Sequence, residues 1–190
     1  MTALDLDAPP GAGSWEERQR RWWSGDVVRA AAFVSVPLAW WQAGPAAGAC
    51  LFLVAGGVMA VRLIDLPTPT DVLAQLVFLA VAWAAVLDAY EHITWLDLPA
   101  HLLGTAVATF VVWRGLRLQG EGVGRVVLLL GVAALLSVLW EAGEWLGHGY
   151  VSQEIQVGYD DTVGDLLWGT AGGLLVAALP SRPSGARGAA

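Results

Sequence analysis

Three short stretches hold most of the residues that could do chemistry. In "DLPAH", Asp97 and His101 stand four apart. In "WEAGEWLGH", Glu141 and Glu144 are three apart and His148 follows Glu144 by four. In "YDDTVGD", Asp161 and Asp165 are four apart, with Asp160 beside them. Spacings of three and four put side chains on one face of an α-helix. Each stretch therefore aims several titratable groups in one direction. Carboxylates mixed with imidazole suit zinc, iron or manganese, and carboxylates alone suit magnesium or calcium. The expected ligands of a divalent metal are His101, Glu141, Glu144, Asp161 and Asp165. Asp97 is expected to orient His101 without touching the metal. His148 and Asp160 are secondary candidates.

Plainer readings stand beside these. Asp97 and Asp161 equally suit the N-caps of their helices. Asp160 and Glu154 read as solvated loop residues, Glu91 and His92 as surface residues, and His148 borders a glycine-rich loop. Glu141 and Glu144 lie between Trp140 and Trp145, while His101 and Asp165 are embedded in apolar sequence. A solvated face does not account for those four.

The elements that must position these groups are strongly apolar. Of the 190 residues 56% are hydrophobic and only 14% charged, against roughly 25% charged in a soluble domain. A helix needs about 20 apolar residues to cross the hydrocarbon of a bilayer. Six segments are close to that length: Val27–Ala43, Ala46–Ile64, Val72–Asp88, Leu98–Trp113, Val126–Gly147 and Thr162–Leu179. Backbone groups in lipid must bond within their own segment, which selects helices. The expected fold is all-α, a polytopic integral membrane bundle of about six transmembrane helices over residues 26–180. Residues 1–25 and 181–190 are expected to be polar, disordered tails. The first tail lacks the apolar core of a signal peptide. Gly44-Pro45 leaves little length for a loop, so the first two helices should form a hairpin.

Charge placement sets the expected orientation. There is no lysine, and with both termini in the cytoplasm every arginine falls at the cytoplasmic end of a span. That is the positive-inside pattern. The acidic residues Asp88, Glu91, Asp97, Glu141, Glu144, Glu154, Asp160, Asp161 and Asp165 gather at the opposite ends, as do all three histidines. Carboxylates that converge repel one another, and no arginine lies on their side. Shared protons, a histidinium or a bound cation must offset the repulsion.

Other features point away from alternatives. Cys50 is the only cysteine, so no internal disulfide forms, and its place in the chain is remote from the acidic stretches. No nucleophile motif is evident. "GLRLQGEGVG" links two apolar runs and follows no strand, so it does not read as a phosphate cradle. The partner expected is the lipid bilayer, with no nucleic acid. In "GTAGG", Gly169 and Gly173 with Gly172 read as an internal helix-packing face, with Gly104 and Ala108 as its expected counterpart.

Taken together, "DLPAH", "WEAGEW" and "YDDTVGDLLWGTAGG" resemble the bacterial inner-membrane YjdF family, whose activity is unassigned. The matching positions are Asp97 and His101, then Glu141, Glu144 and Trp145, then Asp161, Thr162 and Asp165. The chain is similar, more distantly, to VanZ-like membrane proteins. It departs from the pattern at Tyr159-Asp160, where a tryptophan precedes the first aspartate, and at Gly169, where asparagine or alanine often stands. The resemblance implies a multi-pass helical protein of the bacterial plasma membrane and no particular reaction. Three functions stay open. The outward-facing pocket could hold a divalent metal that acts on a lipid-linked or envelope substrate, with a glutamate as general base. It could belong to a proton- or ion-coupled small-molecule transporter, since carboxylates within membranes mark ion paths. It could also tie helix ends together in a non-catalytic envelope scaffold.

Overall fold

A computed structural model of the chain describes residues 24–64 and 66–180. The regular elements among them are helices: α1 (Ser24–Leu63), α2 (Thr68–Val86), α3 (Ala89–His92), α4 (Asp97–Gly115), α5 (Gly122–Tyr150) and α6 (Tyr159–Ala177). Of the expected tails, only Ser24 and Gly25 fall within the described residues, and they begin α1. Arg18, Arg20, Arg21, Arg182 and Arg187 lie outside them.

The 40 residues of α1 would span about 60 Å as one straight helix, twice the hydrocarbon thickness. They do not run straight. Gly44 takes φ 83°, ψ −171°, a conformation that glycine adopts readily. Pro45 follows it and disfavours helical geometry at the residue before. The two arms, 24–43 and 45–63, fold back on each other. Arg29 Nε donates to the Val58 carbonyl at 3.3 Å, and Arg62 Nε lies 3.3 Å from Asp26 Oδ1. The hairpin expected from Gly44-Pro45 is present. To within two residues at their ends, all six apolar segments fall on helices, two on the arms of α1 and one each on α2, α4, α5 and α6. The single turn α3 was not expected.

Among the described residues, three helical stretches are long and apolar enough to cross a membrane: Gly25–Leu63, Thr68–Val86 and Gly122–Tyr150. The 19 residues of α4 and of α6 match α2 in length. Their apolar content is lower because α4 carries Asp97, His101 and Arg114 and α6 carries Asp160, Asp161 and Asp165.

Glycines govern how α6 packs. It lies against both α4 and α5. A Cβ on Gly172 would stand 2.6 Å from the Leu102 carbonyl oxygen and 2.8 Å from the Ala106 nitrogen. A Cβ on Gly173 would stand 2.7 Å from the Leu129 carbonyl oxygen. Adjacent glycines thus serve two different neighbours, and the packing is internal as expected. The expected counterpart is corrected. Gly104 faces Val81 of α2, while Leu102 and Ala106 receive α6. At about 100° per residue, Gly104 points away from the face that holds Leu102 and Ala106.

Two polar networks secure the end of the bundle where α1 ends and α2 begins. Arg125 of α5 reaches the C-terminus of α6, donating to the carbonyls of Val176 at 3.3 Å and Leu179 at 2.8 Å. Its guanidinium also lies 4.8 Å from the Trp113 ring centroid. The last carbonyls of a helix lack partners within it, and Arg125 supplies one from outside. Arg125→Met is expected to cost about 2 kcal/mol, the scale of a charged hydrogen bond lost from a buried site. The measurement is a denaturant midpoint in micelles. Arg125→Lys should recover only part, because an ammonium cannot reproduce the planar fork. The second network joins α1 to α2. Arg29 Nη1 donates to Asp26 at 2.8 Å, Arg29 Nη2 donates to Asp71, and Gln75 Nε2 donates to Asp71 at 2.9 Å. Arg29, Asp71 and Gln75 are all buried.

The apolar core beside these networks contains Val61, Leu66, Phe110, Leu129 and Val176. It binds the C-terminal arm of α1 to α4, α5 and α6. Gly115, at the end of α4, lies against Ile64. Arg29, Arg62, Arg114 and Arg125 therefore share one end of the bundle.

Candidate functional site

The N-termini of α4 and α6 and the C-terminus of α5 meet at the opposite end. Asp97 and His101 come from the first turns of α4 and Asp165 from the second turn of α6. His101 Nε2 lies 3.5 Å from Asp97 Oδ1 and 3.6 Å from Asp165 Oδ1. One ligand atom from each residue falls within 4.8 Å of the others. Both separations exceed the usual 2.7–3.2 Å of a hydrogen bond, so the groups converge without bonding each other well. Asp165 is only 3% exposed, and its Oδ1 has no hydrogen-bond partner. Leaving a buried polar atom unsatisfied costs about 1–3 kcal/mol, and more when it is charged.

This spacing fits a metal's ligand shell. At bond lengths near 2.0–2.2 Å, tetrahedral zinc ligands stand about 3.4 Å from one another. The two imidazole-to-carboxylate separations are close to that value. The donor set of one imidazole and two carboxylates suits zinc, manganese or iron.

The remaining candidates sort by distance from this point. Glu144 is half-buried and within electrostatic reach of Glu141, His101 and Asp165. Glu141 is also half-buried, and its Oε1 is enclosed without a partner. Asp161 is exposed, within electrostatic reach of Asp97 and His101. These three surround the closest trio and are not part of it. Asp160 is exposed. His148 is drawn elsewhere, with its Nδ1 2.7 Å from the Ile155 carbonyl oxygen, while Gln153 donates to the His148 carbonyl at 2.7 Å. It staples the loop after α5, because α5 runs on to Tyr150 and the chain then turns back.

Two expectations about aspartates are corrected. Neither Asp97 nor Asp161 is an N-cap. The cap positions are Leu96 and Gly158, with no side-chain cap bond at either. Both helices begin early enough to put the aspartates inside the first turn, where a negative charge still favours the helix dipole. Asp97 is expected to orient the imidazole from outside a metal's own ligands; it lies 3.5 Å from His101 Nε2, the atom that Asp165 approaches at 3.6 Å.

Three further groups lie near the site that local spacing in the sequence did not place there. Cys50 is not remote. It lies within electrostatic reach of Glu144, because the second arm of α1 starts at this end of the bundle. Tyr90 is within reach of Asp97 and Glu144, and its hydroxyl donates to the Val81 carbonyl at 2.7 Å. Beneath the carboxylates, Ser137 is 2% exposed with an unpartnered hydroxyl. A Cβ on Gly169 would collide with that hydroxyl and stand 3.1 Å from Thr105 Oγ1. Gly169 therefore makes room for hydroxyls as well as for a neighbouring helix. The G-x-x-x-G spacing pointed to close approach, but not to what would approach.

A family model described as a predicted membrane protein, DUF2238, matches residues 26–184. No curated protein and no solved structure matches the chain. The matched region covers all of α2 to α6 and all but the first two residues of α1.

Proposed function

We propose, for a chain that belongs to the DUF2238 predicted membrane proteins, the YjdF family, that it binds a divalent cation between Asp97, His101 and Asp165. The observation that carries this reading is the convergence of three ligand atoms from two helices, one of them on a buried carboxylate oxygen without a hydrogen-bond partner. A cation there would satisfy that oxygen and offset the repulsion between the carboxylates. Glu141, Glu144 and Asp161 form an acidic surround that further favours positive charge.

The reading places the site at the outer face of a bacterial plasma membrane protein with six spans over residues 26–180 and both termini in the cytoplasm. Support comes from charge. Arg29, Arg62, Arg114 and Arg125 share one end of the bundle, and the carboxylates occupy the other. When bound, such an ion supplies Lewis acidity toward an oxygen of a lipid-linked or envelope substrate. Glu144, half-buried beside His101 and Asp165, is the carboxylate positioned to take up a proton.

Metal analysis of the protein purified in detergent tests the proposal. Wild type is expected to hold about one equivalent of zinc, manganese or iron per chain. Asp165→Asn and His101→Ala should each lose it. Glu141→Gln should keep the site and weaken its affinity by about 10–100-fold, as outer partners of metal sites do. His148→Gln should leave metal content unchanged. A wild-type protein that takes up no divalent metal on equilibration, with the same melting temperature in Asp165→Asn, would refute the cation.

A further inference from the structure

The described helices form two units. In the first, the α1 hairpin packs on α2. Trp83 Nε1 donates to Ser35 Oγ at 3.1 Å, and Ala39, Ala47 and Leu51 form a buried cluster with Ala82. In the second, α6 lies against the backbones of α4 and α5 at Gly172 and Gly173. At the arginine end one core joins the two units, taking Val61 and Ala74 from the first and Phe110, Leu129 and Val176 from the second. Gly115 of α4 adds to it, since a Cβ there would stand 3.0 Å from Ile64 Cγ2.

The acidic end is joined differently. The buried cluster there belongs to the first unit alone, as do the residues packed on it, among them Val36, Leu79 and Val86. Among the described residues, no side-chain hydrogen bond or ion pair at this end crosses from the first unit to α4–α6. Tyr90 donates back to Val81 of α2, and His101 stays between Asp97 and Asp165. Where α2 and α4 do meet, a Cβ on Gly104 would stand 3.9 Å from Val81, looser than the 2.6 Å at Gly172. The groups that face one another across the boundary are titratable. Cys50 is within electrostatic reach of Glu144, and Tyr90 of Asp97 and Glu144. Lipid gives apolar helices no hydrophobic drive to associate, so packing and polar bonds must hold them. The arginine end has the packing, and the acidic end has little of either.

We infer that the α1–α2 unit is hinged on α4–α6 at the arginine end and swings at the acidic end, parting Cys50 and Tyr90 from Glu144 and Asp97. The cleft that opens carries Asp97, one of the three converging residues, in its wall. It is the route by which ions and polar substrates reach that site, as hinged closures around ligands provide elsewhere. Residues 87–96 connect the units at this end, with only Ala89–His92 helical, and limit how far they part. The hinge rests on the two cores. Only the route rests on the cation reading, and the two are measured apart.

Pulsed electron-spin distance measurements on the full chain in lipid nanodiscs test the hinge. Cys50→Ser removes the native thiol, and nitroxides are attached to one exposed position on each unit. At the acidic end the pair is Trp41→Cys with Tyr159→Cys, at positions 82% and 84% exposed. At the arginine end it is Leu63→Cys with Val123→Cys, also at exposed positions. Two distance populations are expected at the acidic end and one at the arginine end. Trp41→Cys with Tyr150→Cys repeats the acidic-end measurement without touching α6. Glu144→Leu together with Cys50→Leu sets apolar side chains across the cleft, and the longer population should be lost. A single narrow population at both ends, or equal breadth at both, would overturn the hinge. A longer population that survives both leucines would overturn its assignment to the Cys50–Glu144 face. The route is tested with Val81→Cys and Gly104→Cys in the Cys50→Ser chain, which tie α2 to α4 when oxidised. Manganese uptake by the metal-free protein should slow severalfold on oxidation, and equal rates in the two forms would overturn the route. A chain that takes up no metal in either form also overturns the route, while two acidic-end populations on that chain uphold the hinge.

Discussion

Arg29→Leu is expected to destabilise the protein by about 3–5 kcal/mol, the cost of breaking a buried ion pair by deleting one partner. Arg29 is 5% exposed and Asp71 7% exposed, so solvent does little to screen either charge. Three of its nitrogens are engaged at once, by Asp26, by Asp71 and by the Val58 carbonyl. Leucine removes all three donors. Asp71 then keeps Gln75 Nε2 as its hydrogen-bond donor, too little for a buried carboxylate. The network also ties both arms of the α1 hairpin to the first turns of α2, so its loss loosens three segments together. The double variant Arg29→Leu with Asp71→Leu removes both charges and should recover most of the loss, because a matched apolar pair often replaces a buried ion pair at little cost. A double-mutant cycle on unfolding free energies in micelles measures the coupling. Independent, additive effects of the two substitutions would show that the pair does not hold the hairpin.

Gly172→Ala is expected to cost at least the roughly 1–3 kcal/mol typical of overpacking, although alanine is the better helix former by about 1 kcal/mol. The new methyl would lie 2.6 Å from the Leu102 carbonyl oxygen and 2.8 Å from the Ala106 nitrogen. Both are backbone atoms of a helix and cannot swing aside. Relief requires α6 to move away from α4. That motion separates Asp165 from His101, so metal content should fall along with the melting temperature. Gly173→Ala meets the Leu129 carbonyl at 2.7 Å and should destabilise similarly, by pushing α6 from α5. Gly131→Ala and Gly143→Ala provide the contrast. Nothing lies within 4 Å of a Cβ at either position, so both should be neutral or slightly stabilising. Melting temperatures of the four variants in one detergent decide the matter. Equal shifts in all four would show that the close approach is not what the glycines provide.

Arginine placement shows how far charge alone can be read. All the arginines were expected at one end of the bundle, and Arg29, Arg62, Arg114 and Arg125 are found together there. Their individual tasks were not legible. Arg29 and Arg125 are buried, one against aspartates on two helical segments and the other against the carbonyls that end α6. The partner positions lie 42 and 54 residues away. No local spacing encodes a contact at that range. Asp71 and Gln75, four apart on α2, share a helical face, but that spacing does not name Arg29 as their partner.

The helices themselves, the hairpin at Gly44 and the gathering of carboxylates and imidazole at one end were determined by the sequence alone. Apolar length, the backbone demands of glycine and proline, and the exclusion of charge from hydrocarbon are properties of short segments. They act before any helix meets another. The rotation of each helix about its axis was decided only by tertiary packing. It selected Asp97, His101 and Asp165 from a larger acidic set, turned His148 to its own loop, and brought Cys50 toward Glu144. Rotation depends on which small residues let two backbones touch, and Gly172 and Gly173 set it for α6 through contacts with residues of α4 and α5 far away in the chain.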